Sequence, residues 1–377
     1  MSSPARASDS PRRIPVADPA LVGREKEYVL DCLESTWISS SGEYIGRFER
    51  GFAEFCGVEH AIACCNGTVA LHLALLAHGV GPSDEVIVPT LTYVATANCV
   101  RYCGGRPVFV DAEAETWNMD PELVERAVTP RTKGIVAVHL YGHPARMDEL
   151  NEIARANGLF VVEDAAEAHG ALYRNRRVGS IGDSAVFSFY GNKIITTGEG
   201  GMLVTDDSEL AAHARQLRGQ GQDPERRYWF PVIGFNYRMT NVAAAIGVAQ
   251  LERIDWHVGR RREIAGWYRE RISGLDGVTF SPELDWAQNA YWMSCVVLED
   301  GIGVSRDEVA ARLDAAGVET RPFFYPLHTL PPYENQGDVY PVAERLGGRG
   351  LNLPSSALLT ERDVAYVCDA LAEAVGG

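Results

Sequence analysis

Lysine is almost missing from this chain. Only Lys26, Lys133 and Lys193 are lysines among the 35 basic residues, and the other 32 are arginine. An ammonium can lose its proton and act as a nucleophile or base, whereas a guanidinium in a protein effectively cannot. Each lysine is therefore a candidate for chemistry that needs a removable proton. Long apolar runs are missing too, and none approaches the roughly 20 residues that a membrane helix requires, so no membrane partner is expected. The opening "MSSPARASDSPRRIPVADP" has no apolar stretch behind its arginines and does not read as a signal peptide. Residues 1–13 read instead as a disordered lead. The eight cysteines include no C-x-x-C pair and lie mostly in apolar runs, the pattern of buried reduced thiols in the cytoplasm. No cluster of Cys and His suits zinc, so no metal is expected. A net charge of −16 argues against a nucleic-acid partner but leaves room for a small anionic ligand in a local pocket.

What is present describes a soluble globular protein, 46% hydrophobic and 23% charged over 377 residues. That length exceeds one ordinary core and suggests a large domain, residues 14–250, followed by a smaller one, 251–377. Short apolar runs predict strands at 61–65, 85–89, 107–111, 134–140, 159–164, 184–189 and 201–205. Between them "VALHLALLAHG", "VATANCVRYCG", "PELVERAVT" and "MDELNEIARANG" carry helical periodicity and mostly glycine stops. Continuously apolar strands separated by helices indicate an α/β fold, with a mainly parallel central sheet covered by helices on both faces. Ligands in such sheets gather at the carboxyl ends of the strands. Beyond Asn241, one long helical stretch, strands at "GVTFS" and "YWMSCVVLE", the helix "RDEVAARLDAAG", the segment "VETRPFFYPLH" and a closing helix (361–375) predict a smaller α+β domain.

Three strand ends carry the chemistry. In "CCNGTVALHLAL" a strand gives way to a tight Asn-Gly turn and a helix opening at Thr68. Free N–H groups, a hydroxyl and a positive helix terminus meet there, which suits a phosphate; an ordinary turn capped by Thr68 is the alternative. In "LFVVEDAAEAHG" Asp164 ends a buried strand, so its carboxylate points into the ligand crevice, where it could hold a cationic ring nitrogen, a metal or a ribose, with a cap on the following helix as the alternative; Glu167 follows one helical turn later. In "FSFYGNKIITTGEGG" Ser188 lies in the strand and Lys193 comes five residues on. The glycines that follow are not a dinucleotide fingerprint, which would need a third glycine at Leu203, and they form no Walker loop. A lysine just beyond a buried strand suggests Schiff-base chemistry, with an ordinary surface lysine as the alternative. Phosphate cradle, buried carboxylate and lysine together point to pyridoxal phosphate, which carries a phosphate, a pyridine nitrogen and an aldehyde.

These stretches, with "WISSSGEYIGRFER", "VPTLTYVATAN", "VHLYGHPARMD", "RGQGQDPERRYWFPVIGFNYRMTNVAAAIG" and "TRPFFYPLH", resemble the nucleotide-sugar aminotransferases, fold-type I enzymes that use pyridoxal phosphate. The resemblance runs from about residue 17 to 373. It implies that Lys193 carries the cofactor's aldehyde and moves the proton, with pyridoxamine phosphate as the intermediate form of the cofactor. It pairs Asp164 with the ring nitrogen, stacks Tyr93 on the ring, and assigns the phosphate to Gly67, Thr68 and Ser188. It sends Asn236 to the phosphate of a neighbouring subunit's cofactor, which implies a homodimer with shared active sites. Many members have glutamine where this chain has Glu167, near the ring hydroxyl, and a carboxylate there is expected to share a proton. The implied reaction moves an amino group from L-glutamate to the 4-keto carbon of a nucleotide-linked 4-keto-6-deoxy sugar, with the GDP-linked mannose derivative expected. The alternatives are a UDP- or dTDP-linked ketosugar (4-keto or 3-keto), a related dehydratase that carries histidine in place of lysine, and a PLP-binding regulator without turnover. For the substrate pocket, His139 (or His143), Arg238, Tyr325 and His328 are candidates, each with a packing role as the alternative. The run Arg226, Arg227, Tyr228, Trp229 reads either as a ligand-binding loop or as a solvated one.

Overall fold

The computed structural model describes residues 13–334 and 338–376, so the expected N-terminal lead lies, except for Arg13, outside the described residues. Seven strands form the central sheet: β1 (His60–Cys64), β2 (Glu85–Pro89), β3 (Arg106–Val110), β4 (Thr132–Val138), β5 (Phe160–Asp164), β6 (Ser184–Ser188) and β7 (Gly201–Thr205). Their order across the sheet is β1-β7-β6-β5-β4-β2-β3, and only β7 runs against its neighbours. The seven strands expected for it all form, within two residues at either end, and the α/β architecture with a mainly parallel sheet is the one the periodicity indicated.

Alternation along each strand explains why these runs are apolar throughout. Ile87, Ile135, Ala137, Val161, Ala185 and Phe187 enter one hydrophobic cluster, while their neighbours Val86, Val88, Val136, Val162 and Val186 enter another on the opposite face. Successive side chains point to opposite faces, so a strand covered on both sides has no polar phase to show. Helix Gly67–Ala77 packs against β6 and β7 within the second cluster, and helix Glu43–Cys56 against β1 within the first.

A second sheet contains β8 (Val278–Phe280), β9 (Ser294–Leu298), β10 (Arg321–Pro322) and β11 (Gly350–Leu353), in the order β8-β9-β11-β10. All of its pairings are antiparallel. Its apolar face joins helices Ile254–Ile272, Arg306–Ala315 and Glu361–Gly376 in a separate cluster, which also takes in Ile14 beside Val318.

The long helical stretch after Asn241 is two helices, Asn241–Leu251 and Ile254–Ile272, separated at Glu252 and Arg253. No proline or glycine breaks it. The two halves serve different partners: the first packs between helices Glu25–Glu34 and Glu43–Cys56, the second on Glu361–Gly376. Arg253 N–H donates to Gln250 C=O in a tighter turn at the break. All eight cysteines are free thiols, seven of them buried and Cys65 half-buried. No helix among the described residues is long and apolar enough to cross a membrane.

Candidate active site

The sheet's topology brings the chain's polar strand ends to one edge. β1, β2, β4, β5 and β6 run the same way, so Asn66, Thr92, Tyr141, Asp164 and Ser188 emerge together, and the reversed β7 begins there at Gly201. They line a cleft of about 770 Å³ whose far wall comes from Trp292, Arg321, Phe324 and Asn352 near the second sheet.

At one end of the cleft the helix Gly67–Ala77 begins. Its cap is Asn66, whose side chain accepts the Val69 N–H at 3.0 Å; Thr68 is not the cap. A cap of this kind stabilises a helix by about 1 kcal/mol, and it leaves the Thr68 hydroxyl free to face the cleft. The N–H groups of Gly67 and Thr68 make no hydrogen bond among the described residues. A methyl group on Gly67 would sit 2.8 Å from Ser188 Cβ, and one on Gly201 would sit 2.3 Å from Asn66 O. Two glycines therefore let the helix start and two strands close to a separation at which a small oxyanion can meet N–H and O–H groups together.

Asp164 is buried at the end of β5 and accepts the Thr96 hydroxyl at 2.9 Å and the Ala166 N–H at 3.3 Å. Burial raises its pKa against the pull of those hydrogen bonds and of Lys193. A carboxylate whose charge is disfavoured by burial gains most from a cation placed against it.

Lys193 reaches the same cleft from the turn after β6. Its Nζ lies 3.7 Å from Glu167 Oε1 and 3.6 Å from the centroid of the Trp292 ring. Burial lowers its pKa, and the Arg261 guanidinium works in the same direction while Glu167 and Asp164 oppose it. Arg261 is itself buried; it donates to the Trp292, Ser355 and Lys193 carbonyls and makes no salt bridge among the described residues. Burial lowers Arg261 to about 10. The surroundings thus favour a neutral amine at Lys193, the form that can act as nucleophile and base.

Glu167 accepts the Tyr141 N–H at 2.8 Å, and burial pushes its pKa up to about 7. Tyr141 adopts a left-handed φ of 53°, unusual for a bulky residue. It is held there by that bond and by the Phe324 N–H, which donates to its hydroxyl at 3.0 Å. Glu167 and Lys193 titrate as a pair, in which the carboxylate stabilises the ammonium. Glu167→Gln removes that support, so the neutral amine should persist to lower pH. The acidic limb of the pH–rate profile is expected to move to lower pH, measured with both substrates saturating, and an unmoved limb would contradict the coupling.

Of the residues singled out from sequence, Gly67, Thr68, Tyr93, Asp164, Glu167, Ser188 and Lys193 line this one cleft. The Tyr93 ring is 56% exposed, at the mouth, which leaves its face open to a ligand. Asn236 and Arg238 do not line it; both are exposed, and Arg238 donates to Asn236 Oδ1 at 3.0 Å. Among the substrate contacts expected from the sequence, His139 and His328 already have partners within the fold. His139 is fully buried, with Nδ1 accepting the Ala145 N–H and Nε2 donating to Glu163, each at 3.0 Å. His328 is held between Thr90 at 2.7 Å and Glu344 at 3.2 Å. Both rings are fully used by the fold and absent from the cleft lining. His143, the other candidate, is likewise buried, against the Pro144 carbonyl. Tyr325 points to solvent near Arg306, and Arg226 to Trp229 form an exposed loop away from the cleft. Thr96, Tyr141, Trp292 and Arg261 escaped notice in the sequence. Only Thr96 carries a local signal, one helical turn after Tyr93 in "TYVAT".

Comparison with known proteins fits this arrangement. The description of the DegT/DnrJ/EryC1/StrS aminotransferase family matches residues 19–372. The chain belongs to that family. It is 55% identical to the GDP-perosamine synthase of Caulobacter vibrioides, over 97% of this chain and 98% of that protein. It is 49% identical to the GDP-perosamine synthase of Escherichia coli O157:H7, over 96% and 98% of the two chains. Among solved structures, the aminotransferase TlmJ from Streptoalloteichus hindustanus superposes with a TM-score of 0.91 at 34% identity, over 96% of this chain and 99% of that one. The family is one of sugar aminotransferases, and that is the class of enzyme to which the chain belongs.

Proposed function

We propose that this aminotransferase moves the amino group of L-glutamate to the 4-keto carbon of GDP-4-keto-6-deoxy-D-mannose, giving GDP-perosamine and 2-oxoglutarate. The observation that carries the reading is a buried lysine beside a phosphate-sized cradle and a buried aspartate, in a chain 55% identical to a GDP-perosamine synthase. The donor set fits pyridoxal phosphate. Gly67, Thr68 and Ser188 would hold the phosphate, Asp164 would meet the ring nitrogen, Tyr93 would cover the ring and Glu167 would lie beside the ring hydroxyl. When bound, the cofactor supplies an aldehyde that carries the amino group between substrates and a ring that delocalises the electron pair left at carbon.

The chain's own groups supply the rest. Lys193 would hold the cofactor through its aldehyde, and its Nζ would accept the proton from the donor's α-carbon and later return a proton to the sugar's C4. Its lowered pKa suits it for that shuttle. Asp164 would keep a proton on the ring nitrogen of the bound cofactor, and Glu167 would exchange one with Lys193. A lysine at 193, where the related dehydratases carry histidine, favours transfer over dehydration. Asn236 would reach the phosphate of a second copy's cofactor, which makes the working unit a homodimer, and the expected location is the cytoplasm. Its exposure outside this protomer's cleft, next to Ile233 at 91% exposed, supports that placement.

The test is a panel of GDP-, UDP- and dTDP-linked 4-keto-6-deoxy sugars, each supplied with L-glutamate and read by product mass. Amination of the GDP-linked sugar at least tenfold faster than of the others is expected. A preference for another nucleotide overturns the substrate assignment and leaves the family membership intact.

A further inference from the structure

The cleft must admit anions in a chain of net charge −16. The reading above gives both substrates anionic groups, since the donor carries two carboxylates and the acceptor a diphosphate. Against them the described lining offers three carboxylates, Asp164, Glu167 and Glu199, and two cations, Lys193 and Arg321. Lys193 is already engaged by Glu167 and Trp292. Arg321 is not engaged in this way. Its guanidinium makes no hydrogen bond within the described residues, and its one ion pair, to Glu319, is loose at 3.8 Å.

The backbone holds that guanidinium at the cleft. Arg321 begins the edge strand β10, opposite Asn352 of β11, and Pro322 follows it in the lining. Asn352 Nδ2 donates to the Pro322 carbonyl at 3.1 Å and its Oδ1 accepts the buried Cys295 thiol at 3.1 Å, so the strand's position is fixed from within. The side chain stays 44% exposed, with most of its five N–H donors unspent. A planar fork of free donors on a fixed strand matches a carboxylate or a phosphate, which both present paired oxygens.

We propose that Arg321 is the docking cation for a substrate oxyanion in this cleft. It takes either a carboxylate of the amino donor or a phosphate of the sugar nucleotide, and so determines specificity without touching the reacting atoms. The inference rests on the aminotransferase reading above. It is independent of which nucleotide the sugar carries.

The experiment compares the holoenzyme with Arg321→Ala and Arg321→Lys. Calorimetric titration uses two probes that cannot react: maleate, standing for the donor's dicarboxylate, and GDP-mannose, which has the diphosphate but no keto group. Steady-state KM values for L-glutamate and the ketosugar are measured alongside. A bidentate charge-assisted contact predicts a rise of about tenfold to a hundredfold in the Kd and KM of one partner on Arg321→Ala. Arg321→Lys, which keeps the charge and loses the fork, should fall between. A change confined to maleate and L-glutamate assigns the contact to the donor, and a change confined to GDP-mannose and the ketosugar assigns it to the acceptor. Affinities for both within twofold of the parent overturn the proposal. If the parent binds the probes yet aminates no ketosugar, the enzyme reading fails while the titrations still decide the role of Arg321.

Discussion

Lys193→Arg should reduce amino transfer by about 10⁴-fold or more while leaving the fold in place. The variant is informative because so much is conserved. A guanidinium can still lie over the Trp292 ring, as Lys193 Nζ does at 3.6 Å, and can still pair with Glu167, now at 3.7 Å. It cannot become neutral near pH 7. The parent's surroundings are arranged to remove a proton from this position. Burial and the unpaired Arg261 guanidinium act together on Lys193, and Arg261 is one of 32 arginines among the chain's 35 basic residues. Borohydride treatment of the cofactor-loaded parent followed by peptide mass analysis should place the cofactor's mass on Lys193, and the variant should carry none. Turnover of Lys193→Arg within a hundredfold of the parent would contradict the assignment, and labelling at Lys26 or Lys133 would move it.

How far the sequence revealed this site depends on the range of the interaction. Asp164, Ser188 and Gly67 were legible because each stands at or just past the end of an apolar run, and in a parallel sheet the run itself says which way its end points. The same logic placed the sheet's strands. It says less where the signal is an isolated residue type. His139 and His328 stand near candidate loops and looked available, but each ring has both nitrogens satisfied by partners at least 6 residues away in sequence. Trp292 lies 99 residues beyond Lys193 and Arg261 lies 68 beyond it, and no local pattern ties either to the lysine. Arg261 in particular stands in "GRRREIAG" between Arg260, which pairs with Glu263, and Arg262, which pairs with Glu283. Only tertiary packing separates the buried member from its half-buried neighbours. The break at Glu252 was hidden for the same reason. Helical periodicity runs through it, and what divides the helices is the change of packing partner.

Asp164→Asn tests the other end of the site and separates function from structure. The amide is nearly isosteric and can still accept the Thr96 hydroxyl, now donated to Oδ2 at 2.9 Å. It cannot hold a proton on a ring nitrogen by charge. Removing a preorganised charged partner at a reacting centre typically costs about 10²–10³-fold, so kcat should fall by roughly that factor for the glutamate half-reaction. Stability should not follow. Burial raises the Asp164 pKa from the ordinary value of 3.8, so between that value and the raised one the folded state holds more protons than the unfolded state. Unfolding free energy contributed by this group therefore falls as pH rises through that window, and the deficit is complete above the raised value. A neutral amide escapes it. At pH 8 the cofactor-free variant is expected to melt no lower than the cofactor-free parent, while the cofactor-loaded variant loses part of the parent's stabilisation by cofactor. Thermal melts of the two proteins with and without pyridoxal phosphate, together with single-turnover rates on L-glutamate, decide the matter. A variant that melts lower without cofactor yet turns over within tenfold of the parent would make Asp164 a structural residue and leave the ring nitrogen without its partner.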